Sequence, residues 1–138
     1  MSTLADIEQR LAELNAAPPR AADAAELLAL SEQVLEQWVR TRGDTPTTDR
    51  YEDFRLLALH RQGAQRLPSF NACRETCREL AYHYNLLTLQ PEHAQTASRA
   101  QMMGLLASHV CLFVTGKCQA AALGEFCCAS RPLRAGGE

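Results

Sequence analysis

Two thiols and two guanidinium groups share one short stretch of this chain. Between residues 70 and 87, Phe70, Cys73, Cys77, Leu80, Tyr84 and Leu87 recur at steps of three and four, which places them on one face of a helix. Thiols one turn apart on an apolar face have two uses. As ligands, the thiolates of Cys73 and Cys77 project together and can converge on a soft ion such as Cu(I) or Zn(II). A closed site needs further donors, and Cys111 and His109 are the candidates to complete it, with Cys118 and His83 as additional sources. As core filler, the same thiols stand where Leu or Ala would serve, because free cysteine is among the most buried residue types. The paired Cys-x-x-Cys spacings of zinc sites are absent, and one Cys-x-x-x-Cys on a helix is too common to mark a family.

The same helix carries Arg74 and Arg78 one turn apart, with Glu75 and Glu79 beside them. Such a pattern makes a solvated face, or else a docking strip on which the two arginines act as forked donors to a partner protein or an anionic ligand. Near the C-terminus, Cys127 and Cys128 are adjacent and so point about 100° apart on a helix. One can pack with Leu123 while the other is exposed, open to oxidation or to joining two chains.

The histidines offer less. His60, in Leu59-His60-Arg61-Gln62-Gly63, does not match the His-x-x-Lys-Gly pattern of phosphotransfer bundles, since the glycine comes one residue early and lysine is missing. His83 has Glu79 one turn before it and reads as a hydrogen-bonded boundary residue, and His93 lies in a loop with no expected role. No Gly-rich phosphate loop, Gly-x-Ser-x-Gly elbow, His-Glu-x-x-His or paired Glu-x-x-His arrangement is present, so a binding protein is expected rather than an enzyme.

These residues must be positioned by helices, because no segment alternates with period two over a strand's length. Helix one repeats Leu4, Ile7, Leu11 and Leu14 after a cap at Ser2 or Thr3 and stops before Pro18-Pro19. Its narrow stripe suits a bundle edge or a dimer seam. Asp23 with Glu26 resembles a capping box for helix two, whose stripe runs through Leu27, Val34, Leu35, Trp38 and Val39 to Gly43, with Trp38 buried. After the loop of residues 43–49, helix three carries Tyr51, Phe54 and Leu57 inward and ends near Gly63 or Pro68. Ser69 or Asn71 caps the Cys-bearing helix, which ends before Gln90-Pro91.

Helix five spans Thr96 to Val114, with Met102, Leu105, Leu106, His109, Val110 and Phe113 at core spacing and Gly116 as its terminating residue. A short helix from Lys117 to Cys127 follows, then a loose tail over residues 130–138. The expectation is an all-α, single-domain bundle of five to six up-down helices over residues 1–129.

Composition agrees with a chain of 138 residues that folds without staples. The start, Met1-Ser2-Thr3-Leu4-Ala5-Asp6, has no basic and apolar leader, so the expected compartment is the cytoplasm, with reduced thiols. The apolar run from Met102 to Val114 falls short of the ~20 residues of a membrane span, so no membrane contact is expected. Residues 1–49 hold four basic and nine acidic residues, net −5, whereas residues 50–138 hold ten and seven, net +3. That basic half is too weak a footprint for nucleic acid, given a pI of about 6.1. The leading expectation is a small cytoplasmic helical protein that works by binding another protein or itself, as a regulatory or accessory factor. The alternative is a thiol-based metal or redox protein using Cys73 and Cys77.

Overall fold

Thr3 starts the fold with a full capping box, its hydroxyl accepting from the Asp6 N–H and the Asp6 carboxylate accepting from the Thr3 N–H, each at 3.1 Å. From there the computed structural model describes residues 3–122. It contains five helices and, among the described residues, no strand: α1 (Leu4–Ala16), α2 (Ala24–Thr41), α3 (Arg55–Gly63), α4 (Asn71–Leu89) and α5 (Thr96–Ala122). The all-helical bundle expected from the spacing is the observed class. α5 packs against α1, α2 and α4, and α3 bridges α2 and α4. The stripe of helix one is spent inside the bundle, with Ile7 and Leu11 buried in the common core, so α1 takes the edge position.

Several local expectations change. Asp23 does precede α2, but its side chain makes no cap; its carboxylate accepts from Arg20 at 2.7 Å, while Glu26 is taken by Arg10. Tyr51 and Phe54 precede α3 instead of lying on it. They close a two-residue turn in which each N–H donates to the other's carbonyl at 3.0 Å. Neither Ser69 nor Asn71 caps α4 with its side chain; a 3-10 turn over Pro68–Phe70 leads in, and Ser69 Oγ is buried without a partner among the described residues.

The largest difference is α5. It runs unbroken through Gly116 to Ala122, merging the expected last helix into itself, because Gly116 adopts no left-handed backbone that would end it. The expected register is also rotated. Its buried residues include Ala100, Met103, Gly104, Ala107, Val110, Cys111 and Val114, whereas Met102, Leu105 and His109 are exposed. The reason is at Gly104. Asn15 of α1 reaches its carbonyl at 3.2 Å and Ser108 Oγ at 2.8 Å, and a Cβ at Gly104 would run into Asn15 Oδ1. Small residues let α1 and α2 approach, and that close packing outweighs the larger apolar residues on the other side. By length and composition alone α5 could cross a membrane. Leu123, Phe126, Cys127, Cys128 and the tail lie outside the described residues.

Candidate functional site

Trp38 organises the region that holds the Cys-bearing face. It is fully buried, and its indole N–H donates to the Gly63 carbonyl at 2.8 Å. Glycine is required for that approach, since a Cβ at 63 would lie 2.7 Å from Trp38 Cδ1. On its other side Trp38 stacks on Phe70 with ring centroids 5.3 Å apart. Phe70 in turn presents its carbonyl to His60 Nε2 at 3.0 Å, and His60 is itself 3% exposed. A carbonyl only accepts, so Nε2 carries a proton in this contact.

Close to His60 lie the thiols of α4. Cys73 is hydrogen-bonded by Cys77 and by His60. The bond from Cys77 is the chief influence lowering the Cys73 thiol, to about 6 from the ordinary 9.0; burial opposes it, and His60 and the charge of His109 assist it. Cys77 moves the other way, held in its protonated form by Cys73 and by burial. The two titrate as one unit: a thiolate and the thiol that donates to it.

Beside this cluster lies an open cavity of about 410 Å³, lined by Tyr51, Leu57, His60, Arg61, Arg74, Glu75 and Arg78. His60 therefore belongs to both, touching the buried thiols and facing the cavity. The mouth is shaped by the Tyr51–Phe54 turn, whose central residues Glu52 (φ 52°) and Asp53 (φ 72°) are both left-handed. That is the backbone of a tight hairpin turn, usually taken by Asn or Gly, and a larger side chain there costs roughly 1–2 kcal/mol. The turn sets Tyr51 under the Arg61 guanidinium, 4.1 Å from ring centroid to charge, and Glu52 against Arg78 at 3.2 Å. Arg74 meets Glu75 at 3.5 Å. These ion pairs are close to half exposed or more and so are weak, worth about 0–1 kcal/mol each.

Cys73 and Cys77 thus stand together, and Arg74 and Arg78 share one cavity. The other expected donors are placed apart from the thiol pair. His109 is exposed and acts on Cys73 only through its charge. Cys111 is buried near Thr115 and Glu8 of α1, Cys118 lies 3.6 Å from Thr41, and His83 faces the Glu79 carbonyl at 2.9 Å. Among the described residues no group of three or more His, Cys, Asp or Glu is placed to hold a metal ion. Arg78 pairs across to Glu52. Cys127 and Cys128 fall outside the described residues.

Sequence reasoning missed His60, Arg61 and Tyr51 as members of one site. His60 left a usable trace: Leu56, Leu59, His60 and Gly63 follow the spacing of a buried face, so an inward imidazole was legible. Comparison with family models, with curated proteins and with solved structures finds no match for the chain.

Proposed function

We propose that the protein is a small helical binding protein of regulatory or accessory type, which docks an acidic segment of a partner protein at the arginine-lined cavity. The observation that carries this reading is the convergence of Arg61, Arg74 and Arg78 on one open space of about 410 Å³. Three positive side chains face one lining carboxylate, Glu75, which leaves the lining with a surplus of two positive charges at neutral pH. The pairs that now occupy Arg74 and Arg78 are exposed and cost little to exchange for a partner's carboxylates. Guanidinium forks suit such a ligand because they bind carboxylates bidentately.

A fluorescent poly-glutamate peptide tests the reading. Binding at low ionic strength should weaken steeply with salt and fall at least tenfold in Arg74→Glu/Arg78→Glu, with Arg99→Glu as the distant control. No binding, or equal binding by all three proteins, overturns it.

A second reading is favoured by one observation, the contact of His60 and Cys77 with Cys73. Here the protein is a thiol-based metal or redox protein. Two sulfurs suit Cu(I) better than a closed zinc site, since soft thiolates prefer it and no further ligand set stands near among the described residues. Anaerobically purified protein would then retain Cu(I) or Zn(II) near one equivalent and lose it in Cys77→Ala.

A further inference from the structure

The buried cluster of α3 and α4 joins two thiols and an imidazole in direct contact. Cys77 donates to the Cys73 sulfur, and His60 of α3 touches the same sulfur. Their place on α4 divides the two thiols further. Cys73 is the third residue of the helix, and no side chain caps that end, whereas Cys77 sits one turn deeper. The free N–H groups of a first turn and the helix dipole favour a negative charge, and a thiolate is such a charge. Cys73 therefore gives up its proton first and Cys77 keeps its own. Attacking and resolving thiol, the two roles of a reactive dithiol, fall to two residues of one helix face.

Spacing lets the two sulfurs bond. Residues four apart in an α-helix have Cα atoms about 6 Å apart, inside the ~4.4–6.8 Å range of disulfides. Their Cβ atoms stand about 5–6 Å apart against the ~3.5–4.5 Å of a relaxed bridge, so the turn must tighten by about 1 Å or more. A first turn yields most easily, and α4 is entered through the 3-10 turn over Pro68–Phe70. The resulting bridge is strained and easily reduced. Access selects the oxidant. Cys73 is 3% exposed, yet His60, which touches it, also lines the open cavity. One side chain separates the sulfur from open space, a gap for a molecule the size of water and not for a protein or glutathione disulfide.

We infer, resting on the thiol-based redox reading above, that Cys73 and Cys77 form a dithiol–disulfide couple oxidised by hydrogen peroxide, with Cys73 attacking and Cys77 resolving. The Cys73 thiolate attacks one peroxide oxygen and the O–O bond breaks. The departing hydroxide takes a proton from solvent and leaves as water, and Cys73 becomes a sulfenic acid. The Cys77 sulfur then attacks the Cys73 sulfur, the S–O bond breaks, and hydroxide leaves with the Cys77 proton as a second water. The two sulfurs lose two electrons and one peroxide gains them. A dithiol such as dithiothreitol restores both thiols by closing to its own disulfide.

Peptide mapping of the full chain, treated with hydrogen peroxide near pH 6 and then alkylated, tests this. About half of Cys73 is ionised there, against at most about one in a thousand of Cys111, which is raised from 9.0. The lower value also weakens Cys73 as a nucleophile by about twentyfold, so it should react at least ~10 times faster than the similarly buried Cys111. The expected product is an intramolecular Cys73–Cys77 bridge that dithiothreitol reverses. Cys77→Ser keeps a donor beside Cys73 and should instead accumulate Cys73 sulfenic acid, captured by dimedone, with helical circular dichroism unchanged; if that variant does not fold, the wild-type map decides. Oxidation of Cys73 that ends in a sulfinic acid, or in a bridge to any other cysteine, overturns the couple and leaves the redox reading standing. Cys73 and Cys77 that both react no faster than Cys111 overturn the couple and the redox reading together, and Cu(I) retention, measured before peroxide is added, scores the metal branch separately.

Discussion

α4 and α5 lie side by side with two described cysteines each, yet only Cys73 of the four is pulled below the ordinary thiol value. Cys73 and Cys77 are one turn apart and meet His60, and one of them is stabilised as a thiolate. Cys111 and Cys118 are seven residues apart, each with a threonine as its hydrogen-bonding neighbour, and burial pushes both upward. Burial is common to both pairs. What differs is the strength of the neighbours: Cys77 and His60 together outweigh burial at Cys73, whereas one threonine does not outweigh it at Cys111 or Cys118.

The sharpest way to break that contrast is His60→Ala. The variant removes a buried ring and leaves the Phe70 carbonyl without its donor, which should cost about 3 kcal/mol in urea unfolding. The Cys73 titration, followed by ultraviolet thiolate absorbance, should move up only part of the way, because Cys77 is the larger influence and stays in place. An unmoved Cys73 would mean that the helix pair alone sets its charge.

Gly104→Ala should cost about 1 kcal/mol net, because the new Cβ meets the end of the Asn15 side chain, which must swing away and give up its bonds to the Gly104 carbonyl and Ser108, while alanine's helix preference returns part of the loss. Thermal and urea unfolding measure it. A neutral outcome would show that Asn15 yields easily and that Gly104 does not set the register of α5.

The pH dependence of stability is of similar size over one pH unit. The folded-state value for Cys73 lies below its unfolded one, so its contribution is present above the ordinary 9.0 and is lost as pH falls toward about 6. Stability should therefore climb through that window by at most about 1.4 kcal/mol per pH unit. Above the window, the raised Cys77, Cys111 and Cys118 reverse the trend, since unfolded thiols ionise first. Denaturation curves of wild type and Cys73→Ala separate the two effects, for the variant should lack the climb.

The smallest effect is expected at Gly116, which is exposed and has open space where a Cβ would stand. Gly116→Ala should stabilise by about 0.5–1 kcal/mol, the ordinary gain of alanine in an open helix interior. Calorimetry against Gly104→Ala then compares the two sides of one helix.

The contrast between α4 and α5 also explains what could be read from the chain in advance. α4 has one apolar face and one charged face, so spacing alone placed Cys73, Cys77, Leu80 and Leu87 inside. α5 is apolar on both sides, and spacing has no way to choose between them. The choice was made by Gly104 and Asn15, a contact across 89 residues of sequence. The site itself was half legible. Its α4 members carry a helical repeat, whereas Tyr51 is set against Arg61 of α3 by a left-handed turn at Glu52 and Asp53, and glutamate is a type that does not announce that backbone.

Trp38 turns the same geometry into an optical instrument. The chain has a single tryptophan, and its ring rests on Phe70, whose carbonyl holds His60 at the border between thiols and cavity. Intrinsic fluorescence is therefore one residue removed from the candidate site. Occupancy of the cavity, or a change at Cys73 that displaces His60, reaches the indole through Phe70 and can be followed in unlabelled protein.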